Sequence, residues 1–155
     1  IERKSRVPDG LVLAYPALYL SPAWSASRLL SFFDPMLPSA SLELCLKSYI
    51  PEGVDSEKNY YLSPCIASVE LLEALPPVVA VSGSFDPLFD DLVFFANRLK
   101  SIPSRKAKRD IFHVAHQMPH GFLHLHMIDP ESRKIVSWMA REIRRMMAFK
   151  PELPA

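Results

Sequence analysis

The run Val-Val-Ala-Val-Ser at residues 78–82 constrains the fold more than any other stretch of the chain. It is apolar and mostly β-branched, with no face to offer water, and a strand of that kind is stable only when both of its faces are covered. Pro76-Pro77 stops the element before it, and Asp86-Pro87 opens the element after it. Such a strand calls for parallel neighbours and for helices above and below the sheet. The rest of the chain alternates to match. Residues 11–20 (LVLAYPALYL) read as a first strand that Pro16 ends or bends. Residues 25–49 read as two short helices joined by a link kinked at Pro35 and Pro38, residues 51–59 as a loop, and residues 66–74 as a short helix. A helix over 90–100 carries Leu92, Phe95, Ala96 and Leu99 on one stripe, and a third strand covers 110–115. The last helix opens with Asp129 as its cap and Pro130 in its first position. Its apolar side is expected to bury Ile135, Trp138, Met139, Ile143, Met146 and Met147. The order predicts an α/β fold of parallel strands with crossover helices, in a single domain.

Composition removes several functions. Eighteen Lys plus Arg against seventeen Asp plus Glu leave a net charge of +1, so a nucleic acid partner held by phosphate attraction is excluded. The four glycines, Gly10, Gly53, Gly83 and Gly121, are at least thirty residues apart. A nucleophile elbow, a dinucleotide-binding turn and a phosphate loop each need glycines a few residues apart, and none of them fits. Cys45 and Cys65 form neither a C-x-x-C pair nor a disulfide framework, so a reducing, cytoplasmic compartment is expected. No apolar run reaches membrane-spanning length, and with its charged start the chain is not expected to carry a secretory leader. The first residue is Ile rather than Met, which predicts a chain that begins inside a longer one. Arg133, Lys134, Arg141, Arg144 and Arg145 make a solvated helix face, with peripheral contact to an anionic lipid surface as the alternative.

In an open parallel sheet, functional groups gather beyond the carboxyl ends of the strands. Asp86 follows the 78–82 strand directly and His120 follows the next strand, so both belong at the same rim. An acid that orients a histidine needs this arrangement, and the order acid then histidine is that of α/β-hydrolases. An Asp86 oxygen is then expected within about 2.6–3.2 Å of an imidazole nitrogen. The same positions equally suit an Asp capping the next helix and a histidine in an ordinary loop. His113, His116, His120, His124 and His126 also raise the question of a metal. His113 and His116 fall on opposite faces of a strand, no H-E-x-x-H is present and neither Cys is near, so no metal site is expected. Phe32, Phe33 and Met36 form an apolar cluster that reads as core, or as a pocket wall if it lies near His120.

Taken together, the motifs carry a resemblance. Phe85-Asp86-Pro87-Leu88-x-Asp90 and Pro119-His120-Gly121-Phe122 resemble the acid and histidine motifs of the hormone-sensitive lipase family of α/β-hydrolases. Arg6-Val7-Pro8-Asp9-Gly10 leading into Ala14-Tyr15-Pro16-Ala17 is similar to the sixth-strand region of that family. Ser27-Arg28-Leu29-Leu30-Ser31, Asp34-Pro35-Met36-Leu37-Pro38 and Leu62-Ser63-Pro64 are similar as well. The resemblance covers nearly the whole chain up to about Met147. It implies a serine ester hydrolase of neutral lipid or short acyl esters, with Asp86 as the acid, His120 as the general base and no cofactor. It also implies that residues 1–155 are the C-terminal half of a catalytic domain. The family's oxyanion loop and nucleophile elbow belong upstream of Ile1, so this portion is expected to be inactive alone. Its expected partners are the missing half of the domain or a second copy joined along an exposed strand edge. Phe32, Phe33 and Met36 become candidate acyl-pocket walls. In animal members a long phosphorylated segment interrupts the domain between the positions of Tyr49 and Leu62, where this chain has only a short loop. The alternative function is that of a non-catalytic α/β fragment, a truncated paralogue that binds a partner.

Overall fold

Strand β2 (Val78–Gly83) lies at the centre of a three-stranded sheet with every residue buried. Strands β1 (Leu11–Ala14) and β3 (Ile111–Ala115) pair with it in parallel on either side. The computed structural model describes residues 8–21, 23 and 25–148; Arg6 and Val7 of the family-like stretch lie outside the described residues. The register aligns Leu13, Ala80 and Phe112 across the sheet, and the last pairs are Ala14 with Val81 and Gly83 with Ala115. Among the described residues, no strand pairs with the outer edge of β1.

The described residues contain four α-helices: α1 (Ser39–Tyr49), α2 (Val69–Ala74), α3 (Phe89–Lys100) and α4 (Pro130–Ala148). Alternation along β2 divides the core. Val78 and Ala80 face a cluster with Leu72, Leu92, Phe95 and Leu99, whereas Val81 joins Ala115, Phe122, Ile135 and Met139. The expected α3 stripe is the buried one, with Leu92, Phe95, Ala96 and Leu99 all inside. Each large member of that stripe contributes roughly 1.5–3 kcal/mol by leaving water. Helix α4 starts as expected, with the Asp129 carboxylate accepting the Ser132 N–H at 2.6 Å.

Two expectations need correction. Strand β1 stops at Ala14 instead of running to Leu20. Tyr15 turns to φ +39° and Pro16 has no N–H to give a ladder, so the chain leaves the sheet there. Side chains hold the next segment in place of a neighbouring strand. Asp91 accepts the Leu18 and Tyr19 N–H groups at 2.9 Å each, and buried Arg28 donates to the carbonyls of Ser21 and Tyr19 at 2.9 and 2.6 Å. Burial pushes the Asp91 carboxyl above its usual range, against the pull of those N–H groups and of Arg28. In α4, Ile143 and Met147 are exposed while Glu142 is buried. The inward face follows Ile135, Met139 and Glu142, drifting off the line that Ile143 and Met147 continue.

Arg105 locks the opposite end of the sheet. Its guanidinium donates to the carbonyls of Leu72, Leu75 and Pro76 at 2.7, 2.8 and 3.0 Å, and to both oxygens of Asp110 at 2.6 and 2.8 Å. Asp110 in turn accepts the Val78 N–H at 3.0 Å, so one buried pair sets where β2 and β3 begin.

Candidate active site

The loops that leave β2 and β3 are joined along their main chains. Ser84 N–H donates to the Ala115 carbonyl at 2.9 Å, Phe85 N–H to the Met118 carbonyl at 3.1 Å, and Gln117 N–H to the Ser84 hydroxyl at 2.8 Å. Gly83 makes this closeness feasible: a Cβ there would stand 2.0 Å from the Met118 oxygen. Asp86 and His120 are thereby delivered to one rim.

The two side chains meet. His120 Nδ1 lies 3.1 Å from each carboxylate oxygen of Asp86, which is fully buried, while the His120 side chain keeps 20% exposure. Ser82 donates its hydroxyl to Asp86 Oδ2 at 3.1 Å, and the Leu88 N–H donates to Oδ1 at 2.8 Å. Both oxygens therefore act as acceptors, which makes Nδ1–H the donor and leaves Nε2 as the basic nitrogen. The cap position of α3 is Leu88 rather than Asp86, so Asp86 does not cap the helix; its carboxylate accepts the Leu88 N–H just before α3 and faces the histidine.

Sequence reasoning missed two neighbours. The Tyr15 ring sits 4.7 Å from the imidazole, tilted by 60°, and 6.0 Å from Phe122. Its positive φ is unusual for an aromatic residue and costs on the order of 1–3 kcal/mol, a kind of strain that concentrates at functional sites. Burial raises the Tyr15 phenol above its ordinary value, and the Asp86 charge adds to the shift. A Tyr-Pro step closing an apolar run is the signal that could have marked it. The second is Asp34, which is buried and accepts the His120 main-chain N–H at 2.8 Å.

A cavity of about 710 Å³ opens beside the histidine, between Tyr15, Leu88 and the inner side of α1, with Leu37, Leu42 and Leu46 on its wall. No Asp, Glu, Lys or Arg side chain lines it among the described residues. Phe32 and Phe33 do not line it; they are 62% and 88% exposed on the segment before α1. Met36 lies beside Gly121, next to the histidine, but outside that wall. The other histidines are dispersed: His113 stacks on Trp138 at 4.7 Å, and His126 Nδ1 lies 3.0 Å from the Leu123 carbonyl. Among the described residues no three His, Cys, Asp or Glu side chains converge, and no helix is long and apolar enough to cross a membrane.

Residues 1–124 match the alpha/beta hydrolase fold family. Bovine hormone-sensitive lipase (Bos taurus) is 37% identical over 90 residues, which are 58% of this chain and 11% of that protein. The human protein (Homo sapiens) is 34% identical over 90 residues, again 58% of this chain and 8% of its own length. A hyperthermophilic esterase from the archeon Pyrobaculum calidifontis superposes with a TM-score of 0.75 at 28% identity, over 89% of this chain and 42% of that one. A carboxyl esterase from the mycorrhizal fungus Tuber melanosporum shares the fold, with a TM-score of 0.79 at 22% identity over 94% and 47% of the two chains. The chain thus spans under half the length of these solved esterases and about a tenth of the lipases. The chain belongs to the α/β-hydrolase fold family and is related to hormone-sensitive lipase over 90 of its residues.

Proposed function

We propose that this chain is the acid-and-base half of a serine ester hydrolase acting on neutral lipid or short acyl esters. The buried Asp86 carboxylate against His120 Nδ1 is the observation that carries the reading. A serine from the nucleophile-bearing half of the domain, outside this sequence, attacks the ester carbonyl. His120 Nε2 takes the hydroxyl proton and returns it to the leaving alcohol, while Asp86 keeps the ring in one tautomer and stabilises its cation. The cavity beside His120 has no formally charged side chain on its wall, so it suits an uncharged acyl or alcohol group and would exclude an anionic one.

Hydrolysis of 4-nitrophenyl butyrate tests this. The purified chain alone is expected to show no turnover above buffer, since oxyanion donors alone are worth about 10²–10³-fold. Joined in continuous frame to a nucleophile-bearing α/β-hydrolase segment, it should hydrolyse the ester. His120→Gln should then abolish turnover, and Asp86→Asn should reduce kcat on the order of 10³–10⁴-fold. Turnover by the joined enzyme that survives His120→Gln defeats the reading. So does turnover by the chain alone that His120→Ala removes.

A further inference from the structure

Asp34 sits between the short turn of Ser27–Phe32 and helix α1, 5% exposed. Three main-chain N–H groups hold its carboxylate. Oδ1 accepts those of Met36 and Leu37 at 2.7 and 2.8 Å, which shapes the link into α1. Oδ2 accepts the N–H of His120, 86 residues away, at 2.8 Å. Hydrogen bonds to a carboxylate are roughly twice as strong as neutral ones, so this bond is a firm long-range hold on the histidine loop.

The tolerance at the ring is small. Nδ1 stands 3.1 Å from the Asp86 oxygens, and a hydrogen bond fails beyond about 3.5 Å. A slip of about half an ångström in the His120 main chain is enough to break the pair. Gly121, at φ +69°, comes directly after it and provides little stiffness of its own. We propose that Asp34 is a positioning residue: through the His120 main-chain N–H it fixes the imidazole against Asp86 and ties it to the cavity-lining α1 segment. The proposal rests on His120 being the general base. A carboxylate suits both contacts, because each of its oxygens accepts. In Asp34→Asn one of the two oxygens becomes an NH₂ donor, so either His120 or the Met36–Leu37 pair faces a donor instead of an acceptor.

The test is NMR of the 155-residue chain, uniformly labelled with nitrogen-15. With the wild-type side chain, neutral His120 should be mainly the Nδ1–H tautomer. In Asp34→Asn the His120 amide should exchange at least 10-fold faster while the β2 and β3 amides stay protected, and the Nδ1–H fraction should fall below half. A second variant leaves Asp34 intact and replaces the Pro119–His120 peptide by an ester, which deletes only the donor. It should shift the tautomer in the same way, and it decides the matter if Asp34→Asn does not fold. An unchanged tautomer in a folded variant overturns the proposal. Loss of strand protection in both variants overturns it too, because it would place Asp34 in global folding. Neither readout needs turnover, so activity surviving His120→Gln would defeat the catalytic reading while leaving the Asp34 result legible.

Discussion

Gly83→Ala tests how tightly the two functional loops are pressed together. The added Cβ would lie 2.0 Å from the Met118 carbonyl oxygen and 2.7 Å from its carbon. A carbon approaches a carbonyl oxygen comfortably only to about 3.3–3.6 Å, so the loops must part by roughly 1.3 Å. The obstacle is main chain, and no rotamer change relieves it. Parting the loops puts at risk the Ser84–Ala115 and Phe85–Met118 hydrogen bonds, worth about 0.5–1.5 kcal/mol each. Overpacking adds about 1–3 kcal/mol, for an expected destabilisation of about 2–6 kcal/mol. Urea unfolding followed by circular dichroism should show the midpoint falling by roughly 1–2 M at unchanged slope. Gly53→Ala is the control: nothing lies within 4 Å of its Cβ, and only the left-handed backbone at φ +76° penalises it, by about 1–2 kcal/mol. If Gly83→Ala came within about 0.5 kcal/mol of wild type, or proved milder than Gly53→Ala, the close approach would not be real.

Two buried groups give further outcomes. Arg105→Met removes the guanidinium from the Asp110 carboxylate and from three carbonyls, and should destabilise by about 3–5 kcal/mol in the same unfolding assay; a change under about 1 kcal/mol would contradict the clamp. Burial pushes the Cys65 thiol up to about 12, whereas Cys45 is exposed, so one thiol per native chain should react with a disulfide reagent and the second only on unfolding. Because the unfolded Cys65 loses its proton near pH 9 and the folded one does not, stability should fall by about 1.4 kcal/mol per pH unit between about 9 and 12. In Cys65→Ala that slope should be shallower by the same amount.

The features legible in the sequence are those that repeat along an element or stand just past a strand. The 78–82 run has no polar face, and the α3 stripe recurs at helical spacing, so both declare themselves. Asp86 and His120 are visible because each comes soon after an apolar strand. Asp34, Arg28, Asp91 and Arg105 have no such periodicity. They act through several bonds from side chain to main chain, and only the tertiary structure reveals which carbonyls or N–H groups each one serves. The first strand reads too long because residues 16–20 stay apolar after the backbone has turned at Tyr15. Hydropathy reports burial, and burial there comes from the cavity side and the Arg28–Asp91 pair instead of from a ladder.

The two crossovers of the sheet differ in length. Residues 84–110 join β2 to β3, while residues 15–77 join β1 to β2. Closing the longer loop costs roughly 0.7 kcal/mol more chain entropy, and slow contacts are those between distant residues. The β2–α3–β3 unit therefore has the easier start in folding, and it already contains Asp86 and leads straight into His120. The longer crossover, with Asp34 and the cavity wall, docks onto an acid and histidine whose strands are already paired. Assembly in that order pairs the strands that carry the acid and the histidine first, and Asp34 then arrives with the pocket wall to fix the imidazole.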